Sequence, residues 1–234
     1  MKLEKTTNQL RLPGRSYDDA CGAAHALDLI GERWAILVMR ELMLGPLRFS
    51  DLRAALPGIS ANVLTQRLEG LEGIGAVTKR KLPPPASTHV YELTPWGYEA
   101  EVIMQALGRW ATRSPLHDPT LPLSSVSLML SFRTMFDPAR AEGFQARVGF
   151  RLNGESFMVR IARGRIDAAR EAIDGADVVF TGTPPAVAAA VYGGVPLAAL
   201  EADGALTIDG YRTIANRFIT LFPLPPKIEA TASP

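Results

Sequence analysis

The sequence predicts an α+β protein of two successive domains, a mainly helical one with a single hairpin and then one sheet with helices on one face. Three observations carry this reading. Up to about residue 114 the apolar residues recur at helical spacing, as in Leu64, Leu68 and Leu71. From Ala146 onward they alternate, with Val148, Phe150 and Leu152 on one side and Arg147 and Arg151 on the other. Between the two lies "SPLHDPTLP", Ser114 to Pro122, whose prolines mark a linker. The expected organisation is a first domain over 1–114, a linker over 115–122 and a second domain over 123–229.

Each helical element of the first part has its own signal. "YDDACGAAHALDLIG" reads as a helix ending at Gly31, and "RWAILVMRELMLG" as a buried one, apolar on most sides. "RFSDLRAALPG" is short. "PGISANVLTQRLEGLEGIG" carries the leucine stripe, with Ser60 as N-cap, Ile59 and Leu64 placed as a hydrophobic staple, and Gly73 and Gly75 as a stop. "AVTKRKLPPPASTHVYELT" gives two short strands around a proline-rich tip. Thr94-Pro95 then starts a long helix, "TPWGYEAEVIMQALGRWATRS".

Composition excludes several classes. A chain of 234 residues, 47% hydrophobic and 21% charged, is a soluble globular one with ample core. No apolar run reaches membrane-span length, and residues 1–19 lack the apolar stretch of a signal peptide. One cysteine excludes an internal disulfide framework, so the expected compartment is the reducing cytoplasm. The net charge of +1 hides a regional bias. From Arg33 to Lys81 eight basic residues face four acidic ones, a net of +4, which permits nucleic-acid binding without establishing it.

The leucine-striped helix carries the functional signal. Opposite its apolar stripe stand Asn62, Thr65, Gln66 and Glu69, where most surface helices carry Lys and Glu. A helix entering the DNA major groove sets its N-terminal residues against base edges. Asn and Gln bond both N6 and N7 of adenine, and Ser and Thr serve either polarity. The basic strand Lys79-Arg80-Lys81 suits a wing on phosphate or in the minor groove. Short helices, a polar-faced helix, a basic hairpin and a closing helix make a winged helix-turn-helix. The candidate DNA contacts are Arg48, Ser50, Arg53, Ser60, Asn62, Thr65, Gln66, Arg67, Lys79, Arg80, Lys81 and His89. Arg67 falls at the edge of the apolar stripe beside Val63, to lie along the protein or to reach a phosphate.

The run from Cys21 to Ala111 resembles the HxlR family of bacterial transcriptional regulators. The resemblance is carried by Ala-Leu-Asp-Leu-Ile-Gly at 26–31, Trp34, Arg40-Glu41-Leu42, Gly45-Pro46, Phe49-Ser50-Asp51-Leu52 and Gly58-Ile59-Ser60. It implies homodimers on inverted-repeat operators in double-stranded DNA, with the first and last helices of the domain at the interface. Ala24, Leu27, Ile103, Leu107 and Trp110 would form that surface. Cys21 stands where some members carry a redox or electrophile sensor. The residues themselves favour a small residue buried in the dimer interface instead, since Asp18 and Asp19 beside it disfavour a thiolate.

The second domain opens with a helix after the linker. "ARVGFRLNGESFMVRIARGRI" follows as a hairpin turning at Asn153-Gly154. "ADVVFTGT" is a third strand, Thr183 caps the helix "PPAVAAAVYGG", and after "VPLAALEADG" come the strand "ALTIDG" and the helix "YRTIANRFITLF". This order resembles the sterol-carrier-protein-like fold over most of residues 120–229, which implies a cavity for an apolar small-molecule effector. Its lining would come from Phe132, Met135, Phe136, Phe150, Phe157, Val191 and Phe218, unless these fill a solid core. The arginines at 147, 151, 160, 163 and 165 are expected on the wet face of the sheet. No nucleophile elbow, P-loop or dinucleotide fingerprint occurs, and His25, His89 and His117 lack partners at ligand spacing. No catalytic site, metal, cofactor or membrane partner is therefore expected. The two alternatives to a ligand-responsive regulator are a hydrophobic-ligand carrier and a ligand-independent regulator whose second domain dimerises or docks a partner.

Overall fold

The computed structural model describes residues 16–229, so the reading of the first residues as lacking a leader falls, up to residue 15, outside them. The chain divides into two compact units between Glu99 and Ala100.

The N-terminal unit holds α1 (Gly22–Ile30), α2 (Ala35–Leu42), α3 (Phe49–Ala55), α4 (Ala61–Gly73), β1 (Val77–Lys81), β2 (His89–Leu93) and the first turn of α5 (Pro95–Ala111). α1 begins later than the expected Tyr17. The Asp28 carboxylate accepts from the Tyr17 amide at 3.1 Å and from the Ser16 hydroxyl, and Asp18 takes a positive φ of 50°, so residues 16–19 are held outside the helix. α2 buries Val38, Met39 and Leu42 in a core shared with Leu52, Leu56, Leu64, Leu68 and Leu71. Glu41 is buried among them and keeps its charge partner close, because Arg40 bonds it through Nε at 2.9 Å and Nη2 at 2.6 Å.

Strands β1 and β2 pair antiparallel with Val77 opposite Leu93 and Lys79 opposite Tyr91. Leu47 adds a bridge to Tyr91, its amide donating to the Tyr91 carbonyl at 3.0 Å and its carbonyl accepting from the Tyr91 amide at 2.8 Å. The hairpin hands over to α5 through Thr94. Its hydroxyl donates to the Gly75 carbonyl at 2.7 Å and accepts from the Gly97 amide at 3.1 Å, capping the helix while tying it to the end of α4. Position 97 must be glycine, since a Cβ there would lie inside the Ala76 carbonyl oxygen.

The C-terminal unit takes the rest of α5 together with α6 (Ser125–Met135), β3 (Ala146–Leu152), β4 (Glu155–Ala162), β5 (Arg165–Arg170), β6 (Val178–Gly182), α7 (Pro184–Val191), α8 (Leu197–Ala202), β7 (Leu206–Gly210) and α9 (Arg212–Phe218). α5 joins it by polar contacts. Arg133 of α6 donates from Nη1 to both oxygens of Glu101 at 2.9 Å and from Nη2 to the Ala168 carbonyl at 2.5 Å, while Arg109 reaches the Thr134 carbonyl at 3.2 Å. Beyond α5, Ser114 accepts from Lys227 Nζ at 2.8 Å, and the Arg113 carbonyl accepts from the Ile228 amide at 2.9 Å. The chain thus enters the Pro-rich segment from an anchored position.

The sheet order is β5-β4-β3-β6-β7, antiparallel except where β3 lies parallel to β6. Strand β5 and helix α8 are additions to the expected set. β5 returns through Arg163-Gly164, whose φ values of 52° and 69° match the turn at Asn153-Gly154, 51° and 82°. The cap on α7 is as expected, Thr183 accepting from the Ala186 amide. Arg147, Arg151, Arg163 and Arg165 are exposed and Arg160 half-buried, with Arg160 paired to Glu171 and Arg147 donating to the Asp174 carbonyl at 2.8 Å.

The interior of this unit is a cluster of rings. Phe132 lies 4.7 Å from Phe222, 5.4 Å from Phe218 and 5.6 Å from Phe150, and Phe150 stacks on Phe180 at 5.3 Å. Phe132, Phe150, Phe157 and Phe218 are fully enclosed, Met135 and Val191 are buried, and Phe136 rests at 6.2 Å from Phe222. Spacings of this order are those of packed aromatic pairs. The expected lining residues thus lie in the interior of this unit, four of the rings fully enclosed. A surface depression of about 490 Å³ lies between Pro138, Phe144 and Arg163, and none of the expected lining residues borders it.

Tyr192 brings a polar group to this core. Ser131 spends its proton on the Leu128 carbonyl, so the phenol donates to Ser131 Oγ at 2.7 Å. Burial pushes its ionisation above the usual tyrosine range, and the hydroxyl stays neutral.

Gly97→Ala is expected to destabilise the N-terminal unit by about 2 kcal/mol or more, because the clash is with backbone. Gly70→Ala, in the exposed α4 interior with open space at its Cβ position, is expected to gain up to about 1 kcal/mol. Urea midpoints of the two variants check the opposite signs.

Candidate nucleic-acid interface

The candidate surface is built on α4. Ser60 takes an extended backbone and accepts from the Val63 amide at 3.3 Å, so the helix starts where the cap residue predicts. Leu64, Leu68 and Leu71 are buried, and Ile59 and Leu64 are both enclosed as the staple requires. At 100° per residue this leaves Asn62, Thr65 and Gln66 on the solvent side of the first two turns, and all three are exposed. Their side chains carry uncharged donor and acceptor groups of the kind that suit base edges.

The flanking cations differ in how free they are. Arg48 is the N-cap of α3 and Arg53 lies in its last turn, both exposed, and Ser50 donates to Asp51 at 3.1 Å. On the hairpin Lys79 lies 5.5 Å from the centre of the Tyr91 ring. Arg80 is paired with Glu92 at 2.8 Å, which spends part of its charge. Lys81 and His89 sit opposite one another at the loop end of the hairpin, both exposed. Arg67 behaves differently from all of these: it is turned onto the protein, bonded to the Arg33 carbonyl and to Glu32, each at 3.0 Å.

Cys21 is exposed, at the N-cap position of α1. The Ala24 and Ala23 amides hold its thiol below the ordinary cysteine value. These amides are orphan donors of the helix start, which favour a thiolate there. α1 buries none of its residues, and Leu27, Ile103, Leu107 and Trp110 are exposed, Trp110 at 73%. No helix among the described residues is long and apolar enough to cross a membrane, and none of their His, Cys, Asp and Glu side chains form a group able to hold a metal ion.

Comparison with known proteins assigns this unit. The HxlR-like helix-turn-helix profile matches residues 29–117. The uncharacterised HTH-type transcriptional regulator YvaP of Bacillus subtilis is 37% identical over 87 residues, 37% of this chain and 81% of that protein. The reduced form of the transcriptional regulator YodB from B. subtilis is 32% identical, covering 42% of this chain and 98% of that one at a TM-score of 0.38. The stereoselective inverting sec-alkylsulfatase Pisa1 from Pseudomonas sp. matches at 16% identity and a TM-score of 0.42 over 46% of this chain and only 18% of that one, and no activity is carried over from it. With more than a third of its aligned residues shared with a regulator of which it spans about four fifths, the chain belongs to the HxlR-like helix-turn-helix family of DNA-binding transcriptional regulators.

Proposed function

We propose that the protein is a sequence-specific regulator in which Asn62 and Gln66 read base edges while Arg53, Lys79 and Arg80 contact phosphate. The carrying observation is the exposed amide face of α4 opposite a fully buried leucine stripe. Two copies would join through α1 and α5, whose exposed apolar residues have no partner within a small domain. The favoured operator is then an inverted repeat with half-sites about one DNA turn apart.

Duplexes selected by the protein from a random library test this reading. They should be inverted repeats, and a single unrepeated half-site would contradict the two-fold assembly. On a selected site Gln66→Ala should cost about 1–3 kcal/mol and on random DNA little. Lys79→Ala should weaken both and lower the salt slope by about one unit. Equal losses on both DNAs for Gln66→Ala would remove that residue from the groove.

For the C-terminal unit, the ring-on-ring packing supports a dimerisation or docking module over a sensor of apolar molecules, whatever its likeness to a sterol-carrier-like fold. A filled core offers a ligand no differential contact without first opening. Fatty acids and simple aromatics at saturating concentration should leave the melting temperature of the full chain unchanged. A rise of several degrees that Phe150→Asp removes would restore the sensor reading.

A redox role for Cys21 is supported by its exposure and its place at the start of α1. A thiol with a lowered folded-state pKa carries more thiolate at a given pH than the same thiol unfolded. Alkylation of Cys21 by iodoacetamide should therefore reach half its maximal rate at a lower pH in the native protein than in urea. Coincident profiles would leave Cys21 as an ordinary surface thiol.

A further inference from the structure

Arg67 was a candidate phosphate contact by sequence, and its geometry gives it another task. It leaves α4 one residue after Gln66, at the edge of the buried stripe, and its side chain is only 23% exposed. The guanidinium turns to the corner between α1 and α2. Nε donates to the Arg33 carbonyl at 3.0 Å and Nη2 to Glu32 Oε2 at 3.0 Å.

That corner is itself held. The Ala35 amide donates to the Glu32 carbonyl at 3.0 Å, Trp34 takes a φ of 80° as the N-cap of α2, and the Arg33 guanidinium lies 5.5 Å from the Trp34 ring centre. The Trp34 ring also approaches the turn that leads into α4, reaching to 3.8 Å of where a Cβ on Gly58 would stand. The entry turn of α4 and its second turn therefore rest on the same three residues, Glu32 to Trp34.

Leucine contacts alone are non-directional, so a helix seated only on Leu64, Leu68 and Leu71 could roll about its axis. A planar guanidinium donating to two fixed acceptors sets direction as well as distance. Base recognition needs side chains placed to about 0.5 Å. We infer that Arg67 is a positioning residue for base recognition, fixing the roll of α4 so that Asn62 and Gln66 meet the groove, and that it takes no phosphate itself. This rests on the reading of α4 as the recognition helix.

Glu32 gives the inference its sign. Were Arg67 a phosphate contact, removing Glu32 would free the guanidinium and tighten binding. As a positioning pair, removing Glu32 loosens α4 and weakens recognition. The full-length protein, with Arg67→Gln, Glu32→Ala and Gln66→Ala variants, is titrated on a duplex selected by the wild type and on random duplex across a salt series. Glu32 is 69% exposed, so its truncation leaves the core intact.

Arg67→Gln is expected to lower the selected-to-random affinity ratio about ten-fold, the scale of one mismatched base pair, with the salt slope unchanged. Glu32→Ala should lower the ratio in the same direction by less, since the Arg33 carbonyl bond remains, and the double variant should lose no more than Arg67→Gln alone. A slope reduced by about 0.9, with equal loss on both DNAs, would make Arg67 a phosphate contact and overturn the inference. A ratio raised by Glu32→Ala, or unchanged in both variants while Gln66→Ala lowers it, would overturn it as well. A ratio unchanged in Gln66→Ala would instead refute the reading of α4.

Discussion

Burial of one leucine stripe governs what the N-terminal unit can present to DNA. Leu64, Leu68 and Leu71 each lie at 2% exposure or less, and a helix has one rotational degree of freedom once such a stripe is seated. The side chains opposite are then decided by the 3.6-residue period and not by their own preferences. Asn62 and Gln66 gain little from solvent exposure on a monomer. Their position is a by-product of the leucines, and their chemistry matters when a groove arrives. Ser60 adds to this by satisfying the Val63 amide locally, so the first turn stands without covering structure. The hairpin depends on the same core through Val77 and Leu93, both buried and directly opposite one another.

The C-terminal unit solves its packing problem by different means. Small residues line α7, and the volume is supplied by rings that meet at tilted and edge-on angles around Phe132. Edge-to-face contacts bring the positive rim of one ring to the negative face of another, a preference that aliphatic cores lack. Such a core is specific in shape. It accommodates the Tyr192 hydroxyl because Ser131 Oγ accepts from it and in turn donates to the Leu128 carbonyl.

Local chemistry made much of this legible in advance. The cap at Ser60, the cap at Thr183, the turn at Asn153-Gly154 and the alternation of β3 each depend on residues within a few positions of one another. β5 carries little strand signal, because "RIDAAR" offers only Ile166 and two alanines, Ala168 and Ala169, as apolar residues, and it is held by pairing with β4. The role of Arg67 was hidden for another reason. Its partners lie 34 and 35 positions away, and the edge of an apolar stripe says where a side chain starts and not where a long one ends. The aromatic residues of the second unit were identified as interior, yet spacing along a chain cannot distinguish rings that touch from rings that face a void. Only the distances between Phe132, Phe150 and Phe218 decide that.

The start of helix α5 is fixed by close contact. Thr94 donates to the Gly75 carbonyl and caps Gly97, and Gly97 passes the Ala76 carbonyl with no room for a side chain. Each added residue in a helix advances it by 1.5 Å and turns it by 100°. The count of residues between Thr94 and Gly97 is therefore not free to drift. An insertion or deletion there would pull Gly97 off the carbonyl it must approach and bring a bulkier residue onto it. Length variation should accumulate instead at the proline-rich tip of the hairpin, leaving the stretch from 94 to 97 as a joint whose number of residues evolution cannot change.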